Sequence, residues 1–257
     1  VIYLAPDGIR LLSATDRIGD FALDVASDTI HKDADSFLGT SNNFSSMIIR
    51  GKSQYRVFAY VSSELDSVAK GLIATKFIAQ GSEGINWSST VGIKAHVSDS
   101  RYASDQETSM FANDDGYVYK MESGSSFDGD SIEAIYESPF MPLEDPQLRK
   151  TFYKMTLYIT PTGTTSIDLN MIYDFDSDIT IQPPKQSISS TGTSVFLYGA
   201  SDAIYGTATY GGELDKIYNT NIIGSGKTVA IRISDFSTNP TFTLDTAVLE
   251  YRQNDRQ

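Results

Sequence analysis

The chain has 257 residues, 33 of them acidic and 20 basic, giving a formal net charge of −13. Such a surface repels phosphate backbones, which excludes ordinary DNA or RNA binding yet suits DNA sliding past without adhesion. Cysteine is absent, so disulfides, thiolate chemistry and cysteine-ligated zinc or iron–sulfur centres are excluded.

Val1-Ile-Tyr-Leu reads as a strand, so the sequence is expected to begin inside a fold, with an N-terminal part preceding it. Asp7-Gly8 then predicts a two-residue hairpin turn, because Gly takes positive φ freely and Asp tolerates it. From Asp28 to Asn43 the chain is polar and reads as a long surface excursion. Two β-rich runs flank Gly51-Lys-Ser53, and Gly71–Ala79 and Trp87–Ser98 follow as strands, with Gly81, Gly84 and Asn86 in the turn between them. A second Asp-Gly turn, Asp115-Gly116, lies between Glu107–Ala112 and Tyr117–Met121. The distance between the two turns spans two or more units of the ~40–50 residues typical of a propeller blade.

Pro139-Phe-Met-Pro142 marks a change of character, and Leu143–Phe152 reads as a turn or linker, because proline bars regular sheet. Lys154–Thr160, Ser166–Asp174, Val229–Ile233 and Thr241–Tyr251 alternate as half-buried strands. The expected fold is all-β, with partial β-propeller-like blades over 1–137 followed by a β-sandwich over 138–257. Residues 1–137 hold about three blades' worth of strands, fewer than the roughly four to eight that close a propeller. Either an N-terminal part completes the ring of blades, or neighbouring subunits do.

Few residues suggest chemistry. Gly224-Ser-Gly-Lys-Thr228 resembles part of a phosphate-binding loop, but Asn221 stands where the earlier glycine belongs and a strand, not a helix, follows. It is expected to be a glycine turn. His31 and His96 have no partner at metal-ligand or triad spacing. Asp174, Asp176 and Asp178 alternate and could converge on Ca²⁺, although the glycine and distal glutamate of an EF-hand are missing. Asp128, Asp130 and Glu133 form a second acidic turn. Tyr198, Tyr205 and Tyr210 are each followed by glycine, a combination of large contact area and adaptable backbone that suits an interface as well as a covering loop. Trp87 is expected in a core. No catalytic, cofactor or metal site is expected, no membrane span reaches the roughly 20 apolar residues required, and no enzyme activity is expected.

Several phrases resemble a family of tailed-bacteriophage virion proteins, the tail nozzle or tail tubular protein B group. They are Leu4-Ala-Pro-Asp-Gly-Ile-Arg10, Arg17-Ile-Gly-Asp20, Lys52-Ser-Gln-Tyr-Arg56 and above all Asp115-Gly-Tyr-Val-Tyr119. Ser125-Ser-Phe-Asp-Gly129, Pro146-Gln-Leu-Arg-Lys-Thr-Phe152 and Leu249-Glu-Tyr251 extend the resemblance along most of the chain. It implies a structural protein of the virion tail, a homo-oligomeric ring around the DNA ejection conduit that contacts other tail proteins and passes genomic DNA without specific binding. The competing expectations are a host-recognition or carbohydrate-binding module on the virion surface, and a glycosidase with two facing carboxylates.

Overall fold

The computed structural model describes residues 2–5, 8–11, 26–41, 43–61, 69–79, 82–103, 105–163, 165–176, 180–189 and 217–254. These residues form an all-β protein of several antiparallel sheets with one short α-helix. Two compact units divide it, Val1–Ser123 and Gly124–Gln257. The division lies upstream of Ser138 because Ala134–Glu137 pairs with Val229–Asp235 and is therefore a strand of the second unit.

In the first unit, β1 (Ile2–Ala5) and β2 (Gly8–Leu11) form a hairpin. An antiparallel meander follows, β3 (Asn43–Ile49), β4 (Gln54–Tyr60), β5 (Lys70–Ala79) and β6 (Ser82–Val91). Then come β7 (Val97–Ala103), β8 (Gln106–Ala112) and β9 (Val118–Lys120) in a three-stranded sheet. Successive residues of a strand point to opposite faces, and β4 is buried on both. Val57 and Ala59 join Leu72, Ile9 and Phe37 in one core, while Phe58 joins Met47, Ile49, Ala95 and Met121 in another. Each large apolar side chain so buried contributes about 1.5–3 kcal/mol relative to exposure.

Three local expectations are corrected. Part of the polar stretch from Asp28 to Asn43 is a helix, α1 (His31–Leu38), because Ala34 and Phe37 lie three residues apart on one face and are buried. Strand β6 begins at Ser82, so Gly84 and Asn86 sit within it; the run beyond Trp87 breaks near Gly92, whose φ of 91° no strand residue adopts. The two-residue Asp-Gly turn also falls elsewhere. Gly8 pairs with Ala5 as the first residue of β2, and five residues separate β8 from β9, with Asn113 and Asp115 side chains accepting the Asp115 and Tyr117 amides. Asp128 (φ 50°) and Gly129 (φ 100°) adopt the expected geometry, closed by reciprocal 2.9 Å bonds between Phe127 and Asp130.

Two carboxylates tie the first unit together. Glu107 on β8 accepts the Arg50 and Gly51 amides of the β3–β4 turn at 2.9 and 2.7 Å, and the Ser100 hydroxyl at 3.0 Å. Those amides hold its carboxyl below the ordinary value of 4.5. Burial works against the charge of Glu122, but hydrogen bonds from Lys52 and buried Arg56 overcome it and hold this carboxyl below 4.5 as well. A carboxyl depressed on folding contributes stability above its unfolded value and loses it as pH falls through the lower folded value. The first unit is therefore expected to lose stability progressively below about pH 4.5. Urea midpoints should fall across that window, and less steeply in Glu107→Gln and Glu122→Gln; equal slopes in all three proteins would refute the assignment.

The second unit packs two sheets on one core. The first runs β10 (Ala134–Glu137), β16 (Val229–Asp235), β12 (Ser166–Tyr173), β13 (Gln186–Ser189). In the second, β11 (Lys150–Pro161) is central, with β14 (Ile217–Asn221) and β15 (Ser225–Gly226) on part of it and β17 (Phe242–Gln253) along its length. Strand β12 alternates without interruption, burying Ile167, Leu169, Met171 and Tyr173 against Phe152, Met155, Leu157 and Ile159 of β11.

Candidate functional site

Gly224-Ser-Gly-Lys-Thr228 connects β14 to β16, and Val229 continues as strand, so no helix dipole faces the loop. The amides of Lys227 and Thr228 do bind an anion, the chain's own Asp174 carboxylate, at 2.6 and 3.2 Å. The other Asp174 oxygen accepts the Thr180 hydroxyl at 2.9 Å. Burial opposes ionisation of Asp174, yet the bonds from Thr180, Thr228 and Lys227 hold its carboxyl below the ordinary value. The Lys227 and Thr228 amides of the loop are thus already occupied by Asp174. Asp178 lies outside the described residues, and among those described no three His, Asp or Glu side chains gather in metal-binding geometry.

Asp174, Phe175 and Asp176 are all left-handed, with φ of 51°, 60° and 58°. Non-glycine residues pay about 1–2 kcal/mol each for that conformation, and the Asp174 hydrogen bonds offset part of it. The turn leaves Phe175 69% exposed, its ring 4.6 Å from that of Phe140. With Pro142, Pro146, Lys227 and Thr228 these rings line a recess of about 530 Å³. The Thr228 hydroxyl is buried without a hydrogen-bond partner. Thr228→Val removes that unsatisfied group at constant shape and is expected to stabilise the second unit by about 1 kcal/mol. Calorimetry would check it; a loss of stability would mean the hydroxyl has a partner.

The remaining residues singled out by the sequence are scattered. His31 lies 3.5 Å from Asp35 on the exposed side of α1, and His96 stacks on Tyr60 at 4.3 Å. Asp128, Asp130 and Glu133 line an exposed turn. Trp87 donates to the Ala26 carbonyl at 2.9 Å and packs against a core. Tyr198, Tyr205 and Tyr210 lie outside the described residues.

A feature that strand patterning missed lies along one flank of the second unit. On the β13–β14 flank the two sheets are laced together: Gln186 donates to the Asn221 carbonyl at 2.8 Å and accepts the Thr220 hydroxyl at 2.6 Å. On the opposite flank, β10 and β17 end their sheets, and between them runs a groove of about 960 Å³. Its floor is apolar, with Ile231, Ile233, Leu244 and Leu249. Tyr136 pairs with Ile233, so it points toward the core side, yet it is 55% exposed. Residues 245–248 of β17 are exposed on both faces, beside a bulge at Asp245. The sequence signal was slight: Ala134-Ile-Tyr-Glu137 is a short run between acidic and proline-bearing segments.

A comparison with protein-family models and with curated proteins finds no match.

Proposed function

We propose that the chain is a structural subunit of a bacteriophage tail, part of a homo-oligomeric ring that walls the DNA ejection conduit and contacts other tail proteins in the virion. The open flank of the second unit carries this reading, since two free strand edges over an apolar groove form a surface built for association. Other features support it. The β3–β6 meander, whose β4 is buried on both faces, is compatible with a propeller blade among neighbours, and the two sheets of the second unit are compatible with a β-sandwich. Exposed Ile78, Val97, Tyr102, Tyr117 and Val118 place further apolar area on the first unit. The net charge of −13 suits a wall that DNA passes without sticking. Mass photometry and negative-stain microscopy of the chain test the proposal: closed rings support it, and a monomer at every concentration refutes it.

A second reading, host recognition through a carbohydrate, draws on the Phe140–Phe175 recess, where an exposed ring is held by a strained turn. Glycan-array binding abolished by Phe175→Ala would favour it over the first.

A further inference from the structure

The groove between β10 and β17 has the chemistry of a missing strand. Among the described strands β17 is bonded only to β11, and between its two register shifts Thr246–Glu250 offers an outer edge of amides and carbonyls. Among the described strands β10 is bonded only to β16. Both edges need a polypeptide backbone to complete their ladders, and the floor between them needs apolar side chains at every second position. The lining includes one exposed carboxylate, Asp245, which accepts the Thr160 hydroxyl at 2.8 Å, a second, Asp235, that is buried and accepts the Ser237 amide at 2.8 Å, and no basic residue. An occupant must therefore be extended, partly apolar and cationic.

One edge strand of this chain meets those terms. Strand β9 closes its sheet, bonded only to β8 among the described strands. It presents Val118, and beside it Tyr117, each 69% exposed, with exposed Lys120 and no carboxylate within the strand. The other sheet-edge strands do not combine these features. Strands β1, β3, β13 and β14 carry no charge, β6 carries no cation, Ile9 of β2 is buried, and Arg101 of β7 already pairs with Asp99 at 2.8 Å.

We infer that the groove receives the β9 edge of a second copy, by strand addition. This rests on the ring reading and gives it a contact: the surfaces on the two copies differ, so the association is head-to-tail and propagates from copy to copy instead of stopping at a two-fold dimer. The Lys120 side chain meets the exposed Asp245 carboxylate, which fixes orientation as well as adding attraction.

The absence of cysteine makes the contact directly testable. Two singly substituted full-length proteins are mixed, allowed to exchange and oxidised: Val118→Cys with each of Thr246→Cys, Val248→Cys and Glu250→Cys, which covers neighbouring registers along the edge. A disulfide-linked pair of differently tagged chains is expected in at least one mixture and in neither protein alone. In parallel, Lys120→Glu is expected to weaken self-association about tenfold, and Asp245→Lys in the same chain to restore it. Rings that form with no cross-link in any register and no response to Lys120→Glu would overturn the strand-addition contact while leaving the ring intact. A chain that stays monomeric would overturn both.

Discussion

Gly224→Ala is expected to destabilise the second unit by about 3 kcal/mol, lowering its melting temperature by about 10 °C. Gly224 has a φ of +139°, and a Cβ there would stand 2.3 Å from Cε2 and 2.9 Å from Cζ of Tyr173. That ring cannot retreat. It is fully buried, stacks on Phe152 at 5.2 Å, and donates its hydroxyl to the Ile223 carbonyl at 3.4 Å. Burial pushes the Tyr173 hydroxyl up to about 12. Close-packed interiors transmit such an intrusion instead of absorbing it. Gly129→Ala separates the two causes. Gly129 has a φ of +100° with nothing within 4 Å of a Cβ, so it should lose only the backbone term, about 1 kcal/mol. Scanning calorimetry compares the pair. Equal losses would show that the glycine serves backbone conformation alone, and that the Tyr173 ring does not require it.

Lys150→Met should have an effect of similar size, about 3 kcal/mol, for a different reason. Lys150 opens β11 and is fully buried, and its Nζ donates to the backbone carbonyls of Pro142 and Asp145 and, at 3.2 Å, to that of Lys227. The amine gathers two connecting segments onto the start of the central strand. Leu143 and Glu144 between them are left-handed, with φ of 44° and 65°. Methionine keeps most of the stem's volume but removes the donor from three carbonyls, of which Asp145's retains the Leu148 amide at 3.3 Å, and an unpaired buried acceptor costs far more than a net hydrogen bond gains. The control is Lys154→Met, whose ammonium pairs with Glu250 at 3.6 Å on an exposed face, and which should change stability by no more than about 0.5 kcal/mol. Indistinguishable midpoints for the two variants would mean that water reaches the carbonyls around Lys150.

These residues also mark where local sequence stops being informative. The strands of the second unit were legible because β12 and part of β11 bury one side and expose the other more, so alternation is written into their side chains. Helix α1 was legible in principle, since Ile30, Ala34, Phe37 and Leu38 recur at helical spacing, but the polar residues between them masked the period. The reading of Gly224-Ser-Gly-Lys-Thr228 as a turn followed from the missing glycine and the strand beyond it. That an aspartate 53 and 54 residues upstream of Lys227 and Thr228 occupies their amides did not.

Chain order alone specified an all-β protein, an acidic surface and a chemistry without thiols, because periodicity, charge and cysteine content are properties of residues and their near neighbours. Which Asp-Gly pair makes the tight turn, why Gly224 must be glycine, where the Lys150 amine goes, and which flank of the two sheets stays open were decided only by tertiary structure. Each of these depends on groups far apart in the chain arriving at the same place, and no local pattern encodes that meeting.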